Sequence, residues 1–315
     1  MNNRYKKFMF ENGEGITFEA IAKKGRSFEI SEGTNGELII KAIDVGAVAM
    51  EEHSSKNYAN PPIPKGYKNT EGEWYDGFVI QRTSDRSELV WIPVGFLNAN
   101  GTLDGENFNE KFGRRNYCND EFSENEFHEE MPEELCNQRE SVEKYGGFYI
   151  SRYIISKSEN GKLQSKKGVK PWVNINFNDA QKVASQFENS ETVKSHLTFG
   201  CEYDSVLEWF IKSEARTVEE IAEDSTNWGN HWNTENSPLK VVETGFKEEW
   251  CTNHIYDFAG NVDEWTQEQN DSSCCVIRGG SCVNFGYDYP VAYRNCSNPD
   301  YYCNLTGFRV TLFIK

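Results

Sequence analysis

Nine cysteines and five histidines are the residues of this 315-residue chain best suited to metal binding or nucleophilic chemistry. Zinc sites need paired Cys-x2-Cys or Cys/His spacings, and none is present in the sequence. The placement of the cysteines is uneven, because five lie in the last 42 residues: Cys274, Cys275, Cys282, Cys296 and Cys303. In a large chain that starts without an export signal a disulfide framework is not expected, so the sequence predicts free thiols.

Other sequence signals of catalysis are absent, and the charge excludes several classes of partner. There is no Gly-rich phosphate loop, no Gly-x-Ser-x-Gly elbow and no isolated carboxylate pair for acid and base work. The 33 basic and 50 acidic residues give a net charge of −17, which repels nucleic acid and anionic membranes. Neither an apolar run of about 20 residues nor a secretory signal core is found, which predicts cytoplasmic synthesis without membrane insertion.

The C-terminal segment follows its own compositional rule. Lys, Glu, Gln, Met and Trp make up 76 of the first 269 residues, and none of them occurs among the 45 residues from Asn270 to Ile314. Tyr, Asn, Asp, Ser and Cys lie between glycines instead. Such side chains supply rigid amphipathic area and adaptable hydrogen bonding, as in antibody combining loops. The segment from about 272 to 304 is therefore predicted to be a binding surface.

Two domains are expected to carry this surface. Alternating apolar and polar residues between 15 and 45, with a turn at Gly33–Gly36, predict a small β-rich N-terminal unit. The polar, proline-rich stretch that follows is typical of a linker, so unit and linker are placed at 1–60. The larger domain is placed at 75–315.

The larger domain is predicted to mix strands and helices. Apolar runs at Phe78–Ile80, Leu89–Val94 and Phe148–Ile150 predict strands. One helix is expected over Asn176–Phe187, begun by Asn178 and Asp179, and another over Glu202–Lys212. The charged stretch from 121 to 144 also carries apolar residues at helical spacing. The fold class is α+β with irregular loops.

Short motifs follow one another in a fixed order from Val90 to the end of the chain. Together they resemble the formylglycine-generating enzyme (sulfatase-modifying factor) family. The resemblance implies a loop-rich, C-type-lectin-like α+β fold, to which the β-rich N-terminal unit is added. The motifs are Val90–Gly95, Phe148–Tyr153, Pro171–Ala180, His196–Thr198 with Glu202–Asp204, Ile255–Thr266, Ile277–Ser281 and Gly307–Val310.

Within these motifs most side chains are expected to support the structure. Arg278 and Arg309 are suited to be buried and to bind carboxylates such as Glu264 or Asp257 through two N–H groups of the guanidinium. Asn261 and Glu264 are also candidate calcium ligands, since hard cations prefer oxygen. Trp265 and Phe308 are predicted to anchor the core. No other cofactor is predicted.

Enzymatic activity of the family's oxidising kind is predicted to be lost. In those members the copper-binding cysteines follow the serine of Gly-Gly-Ser by three and eight residues, where this chain has Asn284 and Tyr289. Neither residue supplies a thiolate for Cu(I). A metal-dependent oxidase built from Cys282, Cys296 and Cys303 remains the alternative. The His-x3-His-x-Glu motif of the iron-dependent relatives is absent.

The composition also resembles that of the variable proteins of diversity-generating retroelements, which use the same fold. Codons of the five missing residue types end in a purine, whereas substituting the adenines of an Asn codon yields the types that are enriched. The chain is therefore predicted to be a non-catalytic binding or display protein, with fixed-specificity lectin-like binding as the alternative. The expected ligand is a protein or glycan. The N-terminal unit would attach the chain to a phage particle or cell surface.

The predicted ligand-binding residues lie on either side of Pro290–Ala292, which is expected to be fixed scaffold together with Pro299. The binding residues are Cys282, Asn284, Phe285, Tyr287, Asp288, Tyr289, Tyr293, Asn295, Cys296, Ser297, Asn298, Asp300, Tyr301, Tyr302, Cys303 and Asn304.

Overall fold

The computed structural model describes residues 61–72, 76–94, 112–118, 127–271 and 273–315, and the backbone of four strands nearer the N-terminus. The chain divides into two compact units, Met1–Tyr58 and Ala59–Lys315. The predicted turn at Gly33–Gly36 and most of the predicted linker lie outside the described residues.

Two antiparallel hairpins make up the described part of the first unit. Strand β1 (Arg4–Met9) pairs with β2 (Gly15–Ala20), and β3 (Arg26–Glu32) pairs with β4 (Leu38–Asp44). Strands β2 to β4 lie in the region whose alternating pattern predicts strands, because successive side chains of a strand point to opposite faces.

A six-stranded antiparallel sheet forms the centre of the second unit. Its order is β12-β19-β9-β7-β6-β5, with every neighbouring pair antiparallel. The edge strand β5 precedes residue 75, so the sheet begins earlier than the sequence indicated. The strands are β5 (Tyr67–Glu71), β6 (Val79–Arg82), β7 (Glu88–Pro93), β9 (Gly147–Ser151), β12 (Val193–Leu197) and β19 (Val310–Ile314).

A second, smaller sheet carries the C-terminal segment. Its path is β17-β16-β15-β18, with β8 (His128–Glu129) paired to β15. Strand β15 is parallel to β18 and antiparallel to β16. The strands of the path are β15 (Asp263–Asp271), β16 (Cys274–Arg278), β17 (Asn295–Ser297) and β18 (Thr306–Phe308). Two short pairs complete the strands: β10 (Ser156–Lys157) with β11 (Leu163–Gln164), and β13 (Cys251–Thr252) with β14 (Ile255–Tyr256).

Helix positions follow the sequence, with corrected starts. The helix predicted over Asn176–Phe187 spans Phe177–Ala184. Its capping residue is Asn176 and not Asn178, because the Asn176 side chain accepts a hydrogen bond from Asp179 N at 2.7 Å. Glu202 accepts from Phe199 N at 2.8 Å, at the start of the next helix. The helices are α1 (Glu133–Tyr145), α2 (Phe177–Ala184), α3 (Gly200–Lys212) and α4 (Val218–Ala222).

Apolar side chains on both faces of the large sheet are buried. In β7, Val90 and Ile92 pack with residues of α1 and α3, whereas Leu89 and Trp91 pack with residues of α2 and the second sheet. The second group includes Trp265 and Phe308, both fully buried as predicted. Trp265 also donates its indole N–H to Ile175 O at 3.0 Å. Among the described residues no helix is long and apolar enough to cross a membrane.

Candidate ligand-binding surface

The segment after β16 forms two exposed loops, and the chain that joins them contains several buried residues. We call these loops the 283–289 loop and the 298–304 loop. Between them, Val291 and Ala292 are fully buried and Pro290 is also buried. The expected scaffold role of Pro290–Ala292 is consistent with this burial.

Large apolar and aromatic side chains protrude from the 283–289 loop. Val283 is 46% exposed, Phe285 38% and Tyr287 52%. The rings of Phe285 and Tyr287 stack with their centroids 5.3 Å apart. Asp288 is exposed beside them, whereas Tyr289 is half-buried and meets Tyr293 edge to face at 5.4 Å.

Hydrogen bonds fix the backbone of the 283–289 loop. The Asn284 side-chain oxygen accepts from Ser281 N at 2.8 Å and from Ser281 Oγ at 2.5 Å. The Asn284 carbonyl accepts from Trp232 N at 2.9 Å, and Gly286 N donates to Asn233 Oδ1 at 3.0 Å. A Cβ at Gly286 would lie 2.5 Å from Thr226 N, so this position requires glycine. Asn284 thus supports the loop, with its side-chain oxygen turned toward Ser281.

The 298–304 loop is held against the start of α2. Its backbone accepts hydrogen bonds from Asn174 N and Phe177 N, at Cys303 O (2.8 Å) and Pro299 O (3.0 Å). The Tyr302 hydroxyl donates to Asp179 Oδ2 at 2.7 Å, and Asn178 Nδ2 donates to Asp300 Oδ1 at 3.0 Å. Tyr301 and Tyr302 remain 58% and 51% exposed.

The cysteines differ from the expectation of free thiols at one pair. A disulfide joins Cys274 of β16 to Cys296 of β17, with Cα atoms 5.6 Å apart. Pairing of these strands brings the two residues close although 22 positions separate them in sequence, which the sequence alone did not reveal. The other seven cysteines are thiols outside this disulfide: Cys118, Cys136, Cys201, Cys251, Cys275, Cys282 and Cys303.

Cys282 corrects the predicted set of ligand-binding residues. Its side chain is 1% exposed and therefore does not reach a ligand at the surface in this conformation. Burial raises the pKa of this thiol to about 11, and the nearby Asp263 carboxylate acts in the same direction. The remaining predicted residues divide by exposure. Phe285, Tyr287, Asp288, Cys296, Asn298, Asp300, Tyr301, Tyr302 and Asn304 are exposed, whereas Asn284, Tyr289, Tyr293, Asn295, Ser297 and Cys303 are partly exposed.

A buried charge cluster, Arg278, Arg294, Asp204 and Glu268, holds the chain between the loops. Arg294 donates from Nε to Glu268 at 2.7 Å and from a terminal nitrogen to Asp204 at 2.5 Å. Arg278 donates to the other Asp204 oxygen at 2.9 Å. The sequence analysis missed Arg294, although it is the one basic residue between Arg278 and Arg309.

The carboxylate partners of the two arginines in the family motifs were predicted correctly for one of them. Arg309 donates from Nε to both Glu264 oxygens at 2.8 and 3.1 Å, so the predicted pairing with Glu264 is confirmed. The partner of Arg278 is Asp204, and the expectation of Glu264 or Asp257 was wrong for this residue.

The two candidate calcium ligands have protein partners. Glu264 is engaged by Arg309, and Asn261 Oδ1 accepts from Val242 N at 3.0 Å and Asn230 Nδ2 at 3.1 Å. Over the described parts of the chain, no group of three or more His, Cys, Asp or Glu side chains is arranged to hold a metal ion.

Two exposed residues at the 283–289 loop were not among the predicted ligand-binding residues. Trp232, from the stretch that follows α4, is 47% exposed, and Val283 heads the 283–289 loop. Trp232 precedes the compositionally restricted segment, so composition held no signal for it. Val283 was passed over because it is aliphatic in a segment characterised by polar and aromatic residues.

In the described part of the second unit, the two larger sheets, the helices and the long C-terminal loops define a C-type-lectin-like α+β domain. Residues 81–313 match the model of the sulfatase-modifying factor enzyme 1-like domain, and the chain belongs to that family. No curated protein matches the sequence.

The solved structures that are similar to the chain include the following three. Treponema denticola variable protein 1 is 17% identical with a TM-score of 0.37, and the match covers 53% of this chain and 84% of that one. PvdO from Pseudomonas aeruginosa is 14% identical with a TM-score of 0.44, covering 75% and 97%. CarF is 15% identical with a TM-score of 0.39, covering 54% and 87%. Similarity at this level does not identify a function.

Proposed function

We propose that this chain is a non-catalytic binding protein whose C-terminal surface is diversified by a retroelement. The observation that carries the proposal is the coincidence of a compositional rule with exposure. The stretch that lacks Lys, Glu, Gln, Met and Trp contains the exposed 283–289 and 298–304 loops.

The pattern of burial within the segment supports this proposal. Aromatic and small polar residues occupy the exposed positions, while Pro290–Ala292 and Arg294 are buried between them. Adenine-directed substitution at the exposed positions changes the surface and leaves the buried anchor intact. A rigid scaffold with tolerant loops is the arrangement expected of a diversified receptor.

The state of the cysteines supports a non-catalytic role. A Cu(I) centre needs two thiolates that approach one another. Cys282 is buried with a raised thiol pKa, and Cys296 is bonded to Cys274. Cys303 accepts a hydrogen bond from Leu305 N at 3.4 Å. If the chain were instead an oxidase with rearranged cysteines, the purified protein would contain stoichiometric copper or iron, and metal analysis tests this directly.

Fixed-specificity binding is the second candidate, and side-chain contacts within the loops favour it. Asn284, Asp300 and Tyr302 each hydrogen-bond to a neighbouring residue. Residues with such contacts contribute to loop geometry and would tend to be retained.

Sequencing the gene and its surroundings separates the two candidates. Diversification predicts a reverse transcriptase gene and a near-copy repeat that differs from the coding segment only at adenines. A neighbourhood without either would favour one fixed ligand.

The N-terminal unit has a proposed role in attaching the protein to a larger assembly. Residues 1–58 form a unit of their own, and we propose that this unit connects the binding domain to a phage particle or a cell-surface structure. Fractionation of the source organism tests this, because the full chain should co-purify with the assembly. Recovery of the full chain only as a free monomer would contradict attachment.

A further inference from the structure

We propose that Trp232 is a constant member of the binding surface. It adjoins an apolar patch of Val283, Phe285 and Tyr287, on the loop to which the Trp232 backbone is hydrogen-bonded. The occupant that fits this patch is a protein segment presenting an apolar side chain flanked by lysine or arginine. This inference rests on the proposed binding function and adds to it the class of ligand and a residue outside the diversified segment.

The four side chains come from two stretches of chain that lie against each other. The Trp232 N–H donates to Asn284 O at 2.9 Å, which places Trp232 beside the residue between Val283 and Phe285. Each of the four side chains is more than a third exposed. Large apolar side chains gathered at one place on the surface mark a site of protein interaction.

The stretch that carries Trp232 is fixed before any partner binds. Thr234 Oγ1 donates to Gly229 O at 2.7 Å and accepts from His231 N at 3.0 Å, which closes a tight turn around Trp232. Asn233 joins this turn to the 283–289 loop through Gly286 N, at 3.0 Å. A fixed backbone lowers the entropy lost on binding, so a rigid Trp, Phe and Tyr patch is well suited to anchor a partner.

The charges beside the patch select the partner. The stretches 223–236 and 283–289 contain four carboxylates. Lys247 Nζ contacts Asn236 O at 3.5 Å, and the four carboxylates against this one cation leave the local charge negative. All four carboxylate residues are exposed: Glu223, Asp224, Glu235 and Asp288. An apolar centre with an acidic rim is complementary to an apolar side chain with basic neighbours, because opposite charges attract and like charges cost affinity. The net charge of −17 also disfavours a second copy of this chain as the partner.

A phage-displayed library of random peptides tests the inference with the full-length protein as bait. The wild type should enrich peptides with an aromatic or aliphatic residue next to Lys or Arg. Trp232→Ala should weaken binding of a synthetic copy of the enriched peptide by about tenfold or more, as truncation of a central aromatic anchor does. Raising the salt concentration should weaken binding further, because the rim charges are exposed.

Met131→Ala is the matched control, since Met131 is an equally exposed apolar residue just before α1. This variant should bind the peptide as the wild type does. Thermal unfolding of all three proteins checks that Trp232→Ala remains folded, and Trp232→Phe should restore part of the affinity if the aromatic surface is what matters.

Other outcomes overturn the inference in distinguishable ways. Enriched peptides whose binding depends on Tyr301 and Tyr302 but not on Trp232 would refute this patch and leave the binding function standing. Binding to a glycan array without enrichment of peptides would refute the ligand class. No binding in either format would refute the inference, while sequencing of the gene still tests the proposed function separately.

Discussion

At the scale of single residues, Arg294 ties the C-terminal segment to the rest of the domain. Its guanidinium bonds Glu268 of β15 and Asp204 of α3, and all three side chains are buried. Removing one member of a buried ion pair typically costs about 3–5 kcal/mol. Asp204 and Glu268 also contact Arg278 and Arg114, which places the expected cost toward the lower end of this range.

Arg294→Ala is therefore expected to lower the free energy of unfolding by about that amount, measured by urea denaturation. Lys182→Ala, at an exposed position of α2, is the control and should change it by less than about 0.5 kcal/mol. A variant at Arg294 as stable as the control would show that the cluster does not hold the segment.

The same residues show what sequence could reveal at this scale. The pairing of Arg309 with Glu264 was foreseen. The partners of Arg278 and Arg294 were not, because Asp204 lies 74 residues before Arg278 and 90 before Arg294. Only the packing of α3 against the second sheet brings them together.

At the scale of elements, the disulfide between β16 and β17 lies at the base of the loop segment. A bridge that closes a loop of about 20 residues stabilises a fold by roughly 3 kcal/mol, chiefly by restricting the unfolded chain.

We expect Cys274→Ser/Cys296→Ser to lose about 2–4 kcal/mol of unfolding free energy under non-reducing conditions. The control Cys136→Ser, at an exposed free cysteine, should lose almost none. Non-reducing peptide mapping of the wild type should recover the Cys274–Cys296 pair, and alkylation of all nine cysteines without reductant would contradict it.

The start of β15 makes stability depend on pH. Burial raises the pKa of Asp263 from 3.8 to about 7, and the Glu264 carboxylate beside it acts in the same direction. The folded protein thus holds this proton more tightly than the unfolded chain, so this contribution to stability falls as pH rises from about 4 to 7.

Asp263→Asn, which cannot ionise, should reduce the loss of stability between pH 5 and pH 7.5. Urea denaturation at the two pH values measures it. An equal loss in wild type and variant would indicate that Asp263 titrates normally in the folded state.

Element positions were more predictable than their ends and contacts. Apolar runs located β6, β7 and β9, and local sequence pattern also located α2 and α3. The true cap of α2 was Asn176 and not Asn178, since the sequence offers asparagines at 174, 176 and 178, each of a type that can cap a helix. The disulfide required knowledge of strand pairing, which local sequence does not contain.

At the scale of the whole molecule, ordered motifs identified the fold and composition located the candidate surface. Composition did not reveal that the surface is divided into two loops by buried chain, nor that Trp232 stands beside one of them. Both features depend on how the stretch after α4 packs on the segment that follows β16. Exposure also separated residues that composition grouped together, as the burial of Cys282 shows.

Deep sequencing of the region that encodes Gly279–Arg309 across the source population tests diversification most directly. A diversified surface should vary at adenine-derived codons of exposed positions such as Phe285, Tyr287 and Tyr301. Pro290–Ala292, Arg294 and Gly286 should be constant, as should the codon for Trp232 outside the region. A loop sequence that is the same throughout the population, or variation that falls equally on the buried anchor residues, would contradict the account.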